Sequence, residues 1–338
     1  MKKRIIILIC SILIVILLLG LLQALVVPKY TDNTEGLLIG EYYEAAGDND
    51  VIFVGDCEVY ESFVPAVLYE KYGITSYIRG SAQQLVWQSY YLLEETFKYE
   101  MPKVVVFNVY ALKYGTPQDE AYNRMTLDGM KWSASKYSAV KASMTEGENM
   151  LDYALPLLRF HSRITELGAD DFKYMFSTER VSHSGYLMKK GVVPMTEEAE
   201  SGRTLLDYTL PETAMEYLDK MRELCEKNGT ELILVKAPTN TWGFWWYDEW
   251  DTQIRDYAEK NDLSYYNFIS CKDEMGIDFT TDTYDEGMHL NVYGAEKLTD
   301  YFGKILTESH GLGARTRSDD VAQRWKANID AYYKERNS

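Results

Sequence analysis

The chain opens on an unbroken apolar block and then settles into short β-type runs alternating with amphipathic stretches. From Ile5 to Val27 there is no charge, and only Cys10, Ser11, Gly20 and Gln23 interrupt the aliphatic residues. Roughly 20 apolar residues cross the hydrocarbon core as a helix, whereas a signal peptide has an apolar core of about 7–15 residues before a small-residue cleavage site. Leu21-Leu-Gln-Ala-Leu-Val-Val-Pro-Lys29 is a poor cleavage pattern, and the large Ile9 speaks against a lipoprotein at Cys10. The expectation is an uncleaved single-pass anchor over residues 5–27. Lys2, Lys3 and Arg4 then stay cytoplasmic, and everything after Val27 lies outside the cell membrane.

Residues 28–49 read as a stem, with a short helical stretch around 35–46. Strands are predicted at Val51–Val54, Thr75–Ile78, Val104–Phe107, Glu231–Val235 and Ser264–Phe268. Between them fall helical stretches: Cys57 to about Tyr72, Gln84–Glu100, Glu212–Asn228, Asp248–Asn261 and Val292–Glu308. Leu85, Leu92, Leu93 and Phe97 show the helical spacing, and Pro102 ends that element. This alternation is the signature of an α/β three-layer sandwich with a central parallel sheet. It fails from about Tyr110 to Leu206, which reads as a helical insertion over the top of the sheet. Asp319–Arg336 is expected as a separate amphipathic helix. One domain over residues 50–310 accommodates all of this.

Charge narrows the partners. The formal net charge is −17, and the part beyond Arg4 is more acidic still. Such a surface argues against nucleic acid and against anionic lipid. Of the four cysteines Cys10 lies in the span, and Cys57, Cys225 and Cys271 follow it. No CxxC or Cys/His ligand spacing occurs, so neither a zinc site nor a thiol redox role has support; no cofactor or metal is expected. A Cys225–Cys271 bridge is conceivable outside the cell, which leaves Cys57 over.

Two segments carry candidate chemistry. Val51-Ile-Phe-Val-Gly-Asp-Cys57 places a thiol on the turn between a strand and the next helix, at the carboxyl edge of a parallel sheet. Backbone N–H groups at a helix start can activate a nucleophile or hold an oxyanion, although a small buried cysteine capping a strand fits the same pattern. Far downstream, Thr283-Tyr-Asp-Glu-Gly-Met-His-Leu-Asn291 puts His289 just before the last long helix, with Asp285 and Glu286 beside it. Imidazole as base and carboxylate as orienter form a compact unit for nucleophilic catalysis.

Together these blocks resemble the GDSL/SGNH hydrolase superfamily. Gly55-Asp56-Cys57 stands for the nucleophile block, and Glu286-Gly-Met-His289 (or Asp285) for the Asp-x-x-His block, continued by His289-Leu-Asn-x-x-Gly294. The anchor, the insertion and Lys236-Ala-Pro238 are similar to the membrane-anchored branch that includes the teichoic-acid D-alanylation and alginate O-acetylation proteins. The resemblance implies a flavodoxin-like SGNH fold and an oxyanion hole from the Cys57 N–H, Gly80 and Asn108. It also implies a cell-envelope glycan or teichoic acid as acceptor, and a membrane-bound O-acyltransferase as partner. Two departures stand out: cysteine replaces the family's serine, and the Gly-x-Asn-Asp block is missing except for Asn108. A Cys–His pair would form an acyl-thioester, suited to passing an acyl group to a sugar hydroxyl.

Lys236-Ala-Pro-Thr-Asn-Thr-Trp-Gly-Phe-Trp-Trp-Tyr247 follows a strand and should share the edge of Cys57. Trp242 and Trp245 could stack on sugar or plug the core, and Lys236 and Asn240 could bind a substrate oxygen. His161 and His183, in the insertion, read as structural. Two functions stay open: an extracytoplasmic acyltransferase or esterase, and a catalytically degenerate relative that binds glycan or scaffolds an acylation complex.

Overall fold

Val51, Phe53, Val104, Val106, Ile233 and Val235 sit in one buried cluster, while Ile52, Val54, Val105, Phe107, Leu232 and Leu234 sit in another. Successive side chains of a strand point to opposite faces, so the near-continuous apolar runs mean that both faces are covered. A computed structural model of the chain, which describes residues 2–28, 34–45, 47–176, 180–195, 204–240 and 246–338, shows that arrangement. Strands β1 (Val51–Gly55), β2 (Ser76–Gly80), β3 (Val104–Asn108), β4 (Glu231–Lys236) and β5 (Ser264–Asn267) form one parallel sheet in the order β2-β1-β3-β4-β5. Helices Pro65–Tyr72 and Val292–Glu308 cover one face. Helices Val86–Thr96, Glu212–Lys227 and Asp248–Lys260 cover the other. The strand order reverses at β1 and β3, the point where open α/β sheets bind ligands beyond their carboxyl ends.

The N-terminal segment is one long apolar helix, Lys2–Val26, of 25 residues with a mean hydropathy of 3.5 over its most apolar stretch. By length it can span a membrane, and a signal sequence forms the same kind of helix.

Three expectations about the periphery change. The segment read as a stem contains helix Leu38–Ala45, whose Leu38, Ile39 and Tyr42 are fully buried. Tyr42 donates to Glu100 at 2.8 Å and lies 4.0 Å from the Arg79 guanidinium, so this helix belongs to the domain. The insertion packs mainly on the flank rather than over the top of the sheet. Its Leu127, Met130, Ala139, Val140 and Tyr153 meet Ile39 and Leu92 on the outer sides of two helices. Residues 180–195 return past β2 to the carboxyl edge, where Leu187 N–H donates to Tyr60 and Val193 N–H to Thr283. The last helix, Asp319–Arg336, is docked rather than separate. Trp325 stacks on Tyr69 at 4.9 Å, and Arg336 pairs with Glu296 at 3.1 Å. All four cysteines are free, because Cys225 packs against one face of the sheet and Cys271 against the other.

Candidate active site

The turn after β1 is built around a glycine that nothing else could replace without movement. Gly55 has φ +151°, and a Cβ there would lie 2.5 Å from Val59 and 3.0 Å from the Asn108 side chain. Asp56 then caps the short helix Cys57–Tyr60 by accepting from the Glu58 N–H. Cys57 is the first residue of that helix, so its own N–H has no partner within it.

The second block is held by Asn291. Its side chain caps helix Val292–Glu308 through Tyr293 and Gly294, and donates to the Thr281 carbonyl at 2.8 Å and to Gly191 at 3.0 Å. Gly294 lets that helix approach the Asp282 carbonyl, which a Cβ would meet at 2.6 Å. The loop so fixed delivers His289 to Cys57.

His289 Nε2 lies 3.1 Å from Cys57 Sγ, and its Nδ1 lies 2.6 Å from Asp285 Oδ2. Asp285 also accepts from the His289 N–H at 2.8 Å and from Thr283 Oγ1 at 3.2 Å. Of the two acids left open by the sequence, Asp285 makes this bond. Glu286 is exposed, has φ +61° and joins Val193 only through its backbone. A second carboxylate stands behind the imidazole: Glu61 Oε2 is 3.9 Å from Nδ1, accepts from Tyr284 at 2.8 Å, and has Lys189 3.7 Å from its other oxygen.

Burial pushes the Cys57 thiol up to about 11, against the pull of His289. Burial alone would lower His289, but Cys57, Asp285 and Glu61 outweigh it and hold the imidazole well above its usual range. Glu61 is raised to about 7, by burial first, against His289 and Lys189. The geometry sets Nε2 against the Cys57 sulfur and Nδ1 against Asp285, the orientation in which imidazole and thiol exchange a proton when an electrophile arrives.

Cys57 and His289 open into a cleft of about 620 Å³, part of it open to solvent, lined also by Asp56, Glu58, Gln83, Tyr110, Tyr114, Thr239 and Met288. Gln83, Tyr110 and Tyr114 carry no mark in the sequence that points to a site. Gln83 has φ +51°, which is visible only in three dimensions.

Several residues expected in the site do other work. Lys236 is fully buried, and its Nζ bonds both oxygens of Glu58 at 2.7 and 2.8 Å and the Ala237 carbonyl at 2.9 Å. Its ammonium is thus paired within the protein. Asn108 is also fully buried, and its amide donates to Asp56 at 3.2 Å and Glu58 at 2.9 Å while its oxygen accepts from Ala237. Its amide is thus bonded to two carboxylates that line the cleft floor. Gly80 packs under the turn, where a Cβ would meet the Gly55 and Asp56 carbonyls and Tyr60. Asn240 donates its N–H to Gly287 and its amide to Met195, bracing the His289 loop from outside. Trp242 and Trp245 lie outside the described residues. His161 bonds the Leu158 carbonyl and His183 bonds Glu335, both apart from Cys57.

Beneath the cleft, burial and the neighbouring Glu58 charge raise Asp56 to about 7, and burial lowers Lys113 to about 8. Among the described residues no group of three or more His, Cys, Asp and Glu side chains could hold a metal ion.

The sequence matches no protein-family model, and it matches no curated protein. Among solved structures it is similar to a candidate acylhydrolase from Bacteroides fragilis, at 12% identity, covering 79% of this chain and 95% of that one with a TM-score of 0.38. The fold assignment rests on the sheet order, and the reading of the site on its own distances.

Proposed function

We propose that the protein is an extracytoplasmic acyltransferase or esterase working through a covalent Cys57-acyl intermediate. The observation that carries this reading is the continuous bond chain Cys57–His289–Asp285, at 3.1 and 2.6 Å, on the wall of an open cleft at the strand-order reversal. His289 takes the thiol proton as sulfur attacks the acyl carbon. It then returns that proton to the leaving alkoxide, so an alcohol departs and a thioester remains. A hydroxyl or water, deprotonated by the same imidazole, attacks the thioester and releases the thiol. The Cys57 N–H is the oxyanion donor in this scheme, with the Gln83 amide on the cleft wall as the second. A cell-envelope glycan or teichoic acid is the acceptor class, and a membrane-bound O-acyltransferase the donor-side partner, both by family resemblance.

The test is intact-mass measurement of the protein with a small activated ester. An acyl adduct on the wild type that disappears in Cys57→Ala and slows in His289→Ala supports the scheme. Absence of any adduct across several donors, with Cys57 unreactive to alkylation in the folded protein, defeats it.

A further inference from the structure

The insertion does more than thicken the flank. Its short helices Leu157–Phe160 and Ala169–Lys173, and the turn His161–Thr165 between them, enclose the end of the apolar helix Lys2–Val26. Val26 is fully buried there and residues 21–25 are half-buried, whereas residues 2–20 are exposed. Arg163 closes the helix end, donating to the Val26 carbonyl at 2.6 Å and to Asp171 at 2.9 Å. A carbonyl at a helix C-terminus lacks a partner inside the helix, and a guanidinium is a fitting cap for it. The helix therefore continues into the folded domain instead of hanging from it.

This seating has a consequence for depth. Met175 and Phe176 line the same cavity as Gly20, Gln23 and Ala24. Gly20 lies six residues before Val26, about 9 Å along the helix axis at 1.5 Å per residue. Whatever surrounds Gly20 in a helix that spans a bilayer stands within the lipid interface, not above it. The side chains presented there suit that place. Leu155, Leu158, Ile164, Phe172 and Phe176 are 51, 48, 54, 62 and 77% exposed, and Trp132, on the same cavity, is 49% exposed. Single exposed apolar residues are ordinary, but a contiguous set around one apolar helix needs a nonpolar neighbour. Tryptophan is enriched at membrane–water boundaries, and Trp132 stands on this cavity among the charged Lys131, Lys136, Glu44 and Asp128.

We propose that residues 155–176, with Trp132, form a collar that sits in the outer leaflet around the membrane helix and fixes the domain's orientation to the bilayer. The occupant is the acyl-chain and headgroup boundary of the lipid itself. The acidity of the domain points to zwitterionic rather than anionic lipid. The collar rests on the reading of residues 5–27 as a retained span, and the two are separable by experiment.

The test takes the full wild-type chain in nanodiscs of phosphatidylcholine doped with a phosphatidylcholine that carries a photoactivatable group on the glycerol-proximal part of its acyl chain. After illumination, lipid adducts are mapped by peptide mass spectrometry. Adducts are expected on residues 5–26 and again on 155–176, and none on helix Asp248–Lys260. Leu158→Gln/Phe172→Gln/Phe176→Gln should lower collar adducts at least about fivefold and leave those on residues 5–26 unchanged. Adducts confined to residues 5–26 overturn the collar while sustaining the span. Loss of residues 1–27 from the intact mass overturns both.

Discussion

Two acid–base pairs start from the same turn of the chain and differ in enclosure. Cys57 and His289, backed by Asp285, open to the cleft; Glu58 lines the floor of that cleft, but its partners Lys236 and Asn108 are fully buried behind it. Their bond lengths are similar and they are one residue apart at Cys57 and Glu58, yet they differ in what reaches them. His289 and Asp285 keep 22% and 18% of their side-chain surface, while Lys236 keeps none and Glu58 6%. A pair at an opening can exchange a proton with a substrate. A pair buried at the cleft floor holds three strand ends together: the turn after β1, Asn108 at the end of β3 and Ala237 after β4. Exposure, not residue type, divides the two pairs.

The sharpest way to break this contrast is to disable one pair and watch for an effect proper to the other. Asp285→Asn should cut the rate of acyl-adduct formation by about 10³–10⁴-fold, because the amide fixes the wrong imidazole tautomer. Stability should change little, and both readings come from adduct kinetics beside thermal unfolding. If the adduct rate falls less than tenfold, Asp285 is not the orienting acid.

Lys236→Met should cost about 3–5 kcal/mol of stability by leaving Glu58 buried without its counter-ion. Glu58→Gln/Lys236→Met should recover most of that loss in chemical denaturation. A Lys236→Met protein of normal stability but weakened substrate affinity would return Lys236 to the binding role that its position after β4 first suggested.

Asn108 tests the boundary between the two pairs. Asn108→Ala removes donors to Asp56 and Glu58 and an acceptor for Ala237, so a loss of about 1–3 kcal/mol in stability is expected. A fall of about 10²–10³ in rate at unchanged stability would instead mark an oxyanion donor.

The last prediction concerns Glu61. Folded Glu61 keeps its proton up to about pH 7, whereas the unfolded chain releases it near 4.5. Between those values the folded state binds more protons, so this group's contribution is complete below the window and is lost as pH rises through it. Relative to wild type, Glu61→Gln should gain stability with rising pH over that window, by at most about 1.4 kcal/mol per pH unit. A pH-independent difference would mean that Glu61 titrates alike in both states.

Much of the framework was legible in the chain because it depends on local periodicity. Each of the five strands falls within two residues of its expected place, and Val292–Glu308 and Asp319–Arg336 match at both ends; the helix expected over Gln84–Glu100 stops at Thr96, and the stretch from Cys57 to Tyr72 is broken into Cys57–Tyr60 and Pro65–Tyr72. The paired blocks around Cys57 and His289 were also visible, since a turn glycine, a capping asparagine and a lone histidine leave local marks. The roles of Lys236, Asn108 and Asn240 were not. Their positions after strands suggested a site, but burial and partner choice depend on segments 50 to 180 residues away.

By itself, the sequence determined the parallel α/β class, the apolar N-terminal helix and the two segments that meet at the cleft. Each follows from side-chain spacing or from a residue that a single turn requires. Only the tertiary structure decided that Asp285 rather than Glu286 faces the imidazole, and that Lys236 is spent on Glu58. It alone seated the insertion around the end of the apolar helix. Those outcomes turn on direction and enclosure, which arise when distant segments pack and which no local pattern encodes.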